Sequence, residues 1–388
     1  MTRTSARETY DATVGLLPRG QAPQLIFAIV KITIDLGTGR RTTPQPLLHD
    51  VWDPATPARL APGSDYWIDK PACDVTVVGD AIAPAPTRES AVGVRVGNRE
   101  LAVRVLGPRV VEHTAGRVGF SEPEYFERMP VTWAHAYGGA DLRVPMPPAE
   151  TLAAQLERAA DHPGVYPRNP MGKGYVVGSI PAGLQLPNLE DPARPLTPEL
   201  IAAASPEQWY LRPPPVCFEL VPPFVFPRCL HFGVDAWYPA PDDDRLAEVR
   251  GGALPPGFRS AGLPELARQE AAAGLAFPEL PAGTPFAVAG MSADARTLTC
   301  AMPAAPHVES ALEGRREQLL ARPQLVVLRP NENLATFTFA AVTTQMHRRF
   351  IPGIHRTIPL TVSVDGDAPI DHAPPPVPAG GVTPPRPA

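Results

Sequence analysis

Residues 169–175 read Asn-Pro-Met-Gly-Lys-Gly-Tyr, a lysine between two glycines, as in loops that cradle a phosphate. Such a loop needs two glycines five residues apart, then lysine, then a hydroxyl residue. The glycines let backbone N–H groups converge on the phosphate, and the hydroxyl holds magnesium. Here the first glycine position is Pro167 and the hydroxyl position is Gly174. The dinucleotide pattern G-x-G-x-x-G fails by one residue, because Gly172 and Gly174 are followed by Gly178. The stretch reads instead as a tight turn opened by Asn169-Pro170. Its glycines supply positive φ or let another backbone approach closely.

Other reactive residues fall short of a complete constellation. Ser292 has Gly290 before it, but Asp294 stands where a nucleophile elbow needs its second glycine. Cys229 and His231 alternate as on one strand face, with Cys217 upstream, and the fourth ligand of a structural zinc site is missing. Asp242, Asp243 and Asp244 follow a Pro-Ala-Pro stretch and read as a solvated turn. Residues 347–356 form a compact basic stretch that reads as a solvated loop or as a surface for an acidic partner or a carboxylate. His135 lies between Trp133 and Tyr137, as a general base against an aromatic wall or as a histidine satisfied locally in the core. The expectation is a chain with no catalytic residues, no cofactor and no metal.

Composition narrows the class. The chain has 388 residues, 44% of them hydrophobic, enough for a substantial core. Its net charge of −5 leaves no basic excess to neutralise nucleic-acid phosphates. No run of about 18 apolar residues predicts membrane insertion, and the N-terminus lacks a secretory apolar region. Four cysteines without a C-x-x-C pair fit reduced thiols and a cytoplasmic location. Proline is the outlier, with 53 residues, about three times the usual share of roughly 5%. Proline this dense breaks long helices and central strands, so many short strands joined by rigid loops are expected.

The elements that must position these residues follow from patterning. Residues 24–36 read as a long hairpin strand ending in a glycine turn. Residues 73–84 alternate Val75 and Val77 against Thr76, and 92–111 form a hairpin turned at Gly97-Asn98. Further strands are expected at 296–303, 324–330, 334–342 and 357–366. Helices are expected at 121–129 with a capping box, at 149–160, at 263–275 and at 307–321. Two more open with proline at the first helical position, Pro198 and Pro206. The predicted fold is mainly β (α+β), with short antiparallel strands in sandwich- or barrel-like sheets and a few short peripheral helices. A β-rich domain over 1–240 would carry a smaller α+β region over 241–370, and 371–388 would be a disordered Pro/Gly tail.

Five stretches in order carry a resemblance: 64–84 (SDYWIDKPACDVTVVGDAIAP), 94–111 (VRVGNRELAVRVLGPRVV), 129–139 (MPVTWAHAYGG), 169–175 (NPMGKGY) and 186–196 (LPNLEDPARPL). Together they resemble bacterial domain-of-unknown-function family 2169, closely over residues 20–230 and loosely over 260–366. The resemblance implies a non-enzymatic cytoplasmic adaptor or chaperone of type VI secretion. Its implied partners are an effector protein and a spike (VgrG/PAAR-like) protein, with no nucleic acid and no membrane insertion. The alternatives are a structural component of the apparatus, or an enzyme with a dispersed site near His135, Asp74 or Asp65.

Carried over with those motifs are Asp65, Lys70, Pro71, Asp74, Gly79, Ala83, Pro84, Gly138, Gly139, Asn169, Pro170, Gly172, Gly174, Pro187, Asn188 and Glu190. They read as turns, caps and buried polar pairs, or as partner-facing positions. Lys70 and Asp74, four apart, are placed to pair with each other or with Asp65. The chain departs from the family pattern over 207–227 (EQWYLRPPPVCFELVPPFVFP), rebuilt around prolines. Its apolar part, 213–227, reads as a docking surface or as a buried strand flanked by prolines.

Overall fold

The computed structural model describes residues 10–19, 22–47, 65, 70–145, 162–202, 211–222, 225, 269–312, 315–343, 360–364 and 370–371. Within them the chain is strand-rich, in mostly antiparallel sheets, and none of these sheets closes into a barrel.

A six-stranded central sheet runs Tyr10–Arg19, Ala22–Asp35, Leu334–Val342, Arg322–Arg329, Cys73–Val77, Ala276–Phe277. Neighbours are antiparallel except Arg322–Arg329 and Cys73–Val77, which pair in parallel. This sheet draws strands from both sides of residue 240. A second, five-stranded sheet runs Leu189–Glu190, Arg99–Leu106, Glu89–Val96, Pro285–Ala289, Leu298–Ala301. Its hairpin turns at Gly97, at φ +59°, with Asn98. A third sheet joins Arg315–Leu319, His307–Leu312, Leu360–Ser363 and Ile370–Asp371.

Period-two patterning puts one face of each sheet into a shared core. Val30, Ile32, Val75, Val326, Phe337 and Phe339 of the central sheet pack with Val94, Val103, Val105 and Phe286 of the second. Phe286 and Phe337 meet edge to face with ring centroids 5.6 Å apart. Val308, Leu360 and Val362 of the third sheet join the same core.

The helix expectations meet a different outcome. Residues 121–125 are irregular and Phe126–Pro130 is a strand paired with Asp80–Thr87. The Glu124 N–H is spent on the Pro108 carbonyl, which holds the segment extended against its neighbour. The stretch 307–321 is a hairpin, His307–Leu312 with Arg315–Leu319. Its helix-favouring composition yields to tertiary pairing, because Val308 and Ser310 are buried on one face. Of 263–275, the described residues 269–275 contain turns and no helix. Only Pro198–Ala202 is α-helical among the described residues, and Thr197 Oγ1 accepts the Leu200 N–H at 3.3 Å. The helices expected at 149–160 and after Pro206, Cys229 and His231, Asp242–Asp244, the basic stretch 347–356 and the tail 372–388 lie outside the described residues.

Candidate functional site

The second face of the central sheet mixes charged and hydroxyl residues with the apolar Ile29, Leu325 and Val327, yet it too is buried. One rung crosses five strands as Lys31, Thr338, Leu325, Asp74 and Ala276. Lys31 Nζ donates to Asp65 Oδ2 at 2.6 Å and Thr338 Oγ1 donates to Asp65 Oδ1 at 2.5 Å. Lys70 Nζ donates to Asp74 Oδ2 at 2.6 Å and to Glu270 Oε2 at 2.8 Å, with all three side chains sealed from solvent. Burial pulls the Lys70 ammonium down, and the two carboxylates outweigh it and hold its pKa above the ordinary value. Asp74 also accepts the Glu270 and Ala271 N–H groups at 2.9 Å and the Gln269 amide. Pro71 is exposed just before this strand. Asp74 is thus saturated with donors, and the cluster works as a clasp that fixes residues 269–271 on the sheet.

The other motif residues assemble a second clasp. Tyr137–Gly138 pairs in parallel with Lys173–Gly174. The Asn169 amide donates to the Trp133 and Tyr137 carbonyls at 2.7 and 3.1 Å. A Cβ on Gly138 would drive into the Asn169 carbonyl, one on Gly139 into the Gly172 carbonyl, and one on Gly172 into the Ala136 carbonyl. Gly138, Gly139 and Gly174 have positive φ. Gly172 does not, and it serves close approach alone. Pro170 sits half-buried in this turn, and Pro187 packs against Gly174.

Lys173 turns inward. Its Nζ donates to Asn188 Oδ1 at 3.2 Å, and burial lowers its pKa. Asn188 also bonds the Leu106 carbonyl through Nδ2 at 3.0 Å and the His135 carbonyl through its N–H at 2.8 Å. Glu190 is buried and takes Arg109 and Arg104 as partners. Gly79, at φ +149°, makes room for the Asn331 amide, which bonds the Asp80 N–H and C=O. Ala83 is buried and Pro84 exposed on the strand that follows.

Titratable groups gather beside the second clasp. His135 Nδ1 meets Thr132 Oγ1 at 2.9 Å. Burial, then the Lys173 charge, pushes its pKa down to about 4, against a smaller pull from Asp80. Glu219 accepts the Trp133 N–H at 3.3 Å, and burial pushes its carboxyl up to about 7, with Asp80 adding to the rise. Asp80 is held by Arg128 at 2.5 Å. Both displaced groups belong to one turn, His135 through Thr132 and Glu219 through the Trp133 N–H, and displaced groups in one place are a mark of functional sites as well as of buried structural ones.

The structure therefore separates residues that the sequence left together. Asp65 pairs with Lys31, while Lys70 and Asp74 pair with each other. Sequence reasoning missed Lys31, Glu270, Gln269 and Glu219. Lys31 left a signal, a lone charge inside the apolar run 25–34, whereas Glu270 lies 200 residues from Lys70 and left none. Ser292 bonds Asp294 on the surface, in a short loop closed by Arg296. Cys217 is buried, with its thiol bonded to the Val131 carbonyl. Among the described residues no cluster of three acidic, histidine or cysteine residues is arranged to hold a metal, and no helix is long and apolar enough to cross a membrane.

The family model described as an uncharacterized protein conserved in bacteria (DUF2169) matches residues 21–339. That is well over half of the chain, and the chain belongs to this family. No curated protein and no solved structure matches it.

Proposed function

We propose that this member of the DUF2169 family is a non-enzymatic adaptor that binds a type VI secretion effector in the cytoplasm and helps load it onto a spike (VgrG/PAAR-like) protein. The observation that carries the reading is the fate of the motif residues. Lys70 is spent on Asp74 and Glu270, Lys173 and Asn188 bond each other and backbone, and the Asn169 amide nitrogen is spent on two carbonyls while its Oδ1 is left without a partner among the described residues. Groups consumed in this way position loops and have little capacity left for a small substrate. A scaffold of short strands with clasped loops offers preorganised surface, which limits the ordering cost of binding a protein. The test is to tag the protein in its own bacterium and identify what co-purifies. Recovery of a toxin-like protein together with a spike protein supports the adaptor. Recovery of a spike protein alone favours a structural component. Recovery of neither, with the secretion system expressed, overturns the reading.

A second reading rests on His135 and Glu219, whose protonation states are displaced in opposite directions beside Asp80. It makes the protein a hydrolase with a dispersed site. Hydrolysis of ester or peptide reporters that disappears in both His135→Gln and Glu219→Gln would establish it over the adaptor.

A further inference from the structure

The strand Leu189–Glu190 stops after two residues, and the reason is covalent. It pairs antiparallel with Arg99–Leu106 in the register Leu189 with Val105 and Glu190 with Arg104. The ladder begins with the Leu106 N–H donating to the Asn188 carbonyl at 2.8 Å. Continuing that register puts residue 192 opposite Ala102. Residue 192 is proline, which has no N–H to donate, and the chain turns away from the sheet over 191–194.

Antiparallel ladders alternate. Arg99, Leu101, Val103 and Val105 of the hairpin turn their N–H and C=O groups toward Glu89–Val96, so Leu106, Arg104, Ala102 and Glu100 turn theirs toward the other edge. Leu106 and Arg104 are met there by residues 188–190. Among the described residues nothing meets the backbone of Ala102 or Glu100, and both residues are exposed. A groove lined by Glu89, Ala91, Ala102, Arg104, Pro192 and Pro195 runs beside this place.

We propose that the open edge at Ala102 and Glu100 is a strand-addition site, at which an extended segment of a partner protein continues the ladder that Leu189–Glu190 begins. The inference rests on the binding-protein reading above and names where and how the partner docks. Main-chain hydrogen bonds to Ala102 and Glu100 supply the affinity. Register supplies the specificity. The partner residue opposite Leu101 falls on the same inward face as Leu189, beyond the place of Asp191 opposite Val103, and suits a branched apolar side chain. The residue opposite Glu100 falls on the outer face and suits a lysine or arginine.

The test uses the full-length protein and a short synthetic peptide of alternating valine and threonine with one lysine. Amide exchange is followed residue by residue by NMR. In the free protein Ala102 and Glu100 exchange fast while Leu101 and Val103 exchange slowly. Saturating peptide slows Ala102 by about tenfold or more, and the same peptide N-methylated on alternate main-chain nitrogens does not. Slow exchange at Ala102 in the free protein overturns the proposal, as does exchange unchanged by millimolar peptide, or equal protection by the methylated peptide. Co-purification of an effector with the protein, without protection at Ala102 by the peptide, keeps the adaptor and removes this edge. Protection at Ala102 without an effector in the cell keeps the edge as a strand acceptor and removes the adaptor.

Discussion

Lys31 and Asp74 stand on one rung of the central sheet, separated by the strands that carry Thr338 and Leu325, and each is neutralised from outside the sheet. Three strand spacings put them about 14 Å apart, too far to pair directly. Asp65 answers Lys31, and Lys70 with Glu270 answers Asp74. A buried ion pair brings little net stability, but breaking one leaves a charge without compensation. These pairs therefore act chiefly by dictating which chain segments cover the second face of the sheet.

Lys70→Met leaves the Asp74 and Glu270 carboxylates buried together without their cation. The expected loss is about 3–5 kcal/mol, measured by urea denaturation at pH 7. Lys70 is charged at that pH, because its folded pKa lies above the ordinary 10.5. Its contribution is fully present below 10.5 and is lost only as pH rises through the folded value. Adding Glu270→Gln to Lys70→Met should recover part of the loss by removing one of the two charges. A single variant within about 0.5 kcal/mol of wild type would contradict the clasp.

Gly138→Ala is expected to cost about 2–4 kcal/mol, since it combines positive φ with a collision against the Asn169 carbonyl. Gly178→Ala is the control. Gly178 also has positive φ, +73°, but a Cβ there meets nothing within 4 Å. It should cost only the backbone strain of about 1–2 kcal/mol. Equal losses in thermal or urea unfolding would show that the crossing of the two loops contributes nothing.

The difference between these two glycines is also the difference between what the sequence discloses and what it withholds. Local pattern identifies the hairpin at Gly97-Asn98 and the strand with Phe337 and Phe339 on one face, because alternation and turn chemistry are local. It also marks 169–175 as a glycine turn where a backbone approaches closely. It does not reveal that the partner is Ala136–Gly139, or that Cys73–Val77 runs parallel to a strand some 250 residues later. Those pairings depend on burial summed over the whole chain. The same competition pairs His307–Leu312 with Arg315–Leu319 despite a helix-favouring composition.

Ala115 sits at φ +51° before Gly116 at φ +77°, in the turn joining Val111–Thr114 to Arg117–Phe120. Positive φ at both central residues suits asparagine followed by glycine far better than alanine. Ala115→Asn should stabilise the protein by up to about 1 kcal/mol, read as a higher urea midpoint with an unchanged slope. A lower midpoint would mean that alanine is held there by a contact.

Glu219 and His135 give the pH profile opposite slopes. The Glu219 carboxyl is raised from 4.5 to about 7 by burial. Its folded state binds the proton more tightly, so its contribution is full below 4.5 and is lost as pH rises toward 7. His135 is lowered from 6.5 to about 4, chiefly by burial. It favours the folded state above 6.5, and that contribution is lost as pH falls toward 4. Glu219→Gln keeps the shape of the side chain without the charge. At pH 8 it should be more stable than wild type by on the order of 2 kcal/mol, with the advantage gone by pH 4.5. His135→Asn should leave stability at pH 8 little changed and flatten the loss between pH 6.5 and 4. Urea denaturation of the three proteins at half-unit pH steps separates the two groups. A Glu219→Gln variant whose profile runs parallel to wild type across this range would show that Glu219 ionises as an ordinary surface carboxylate.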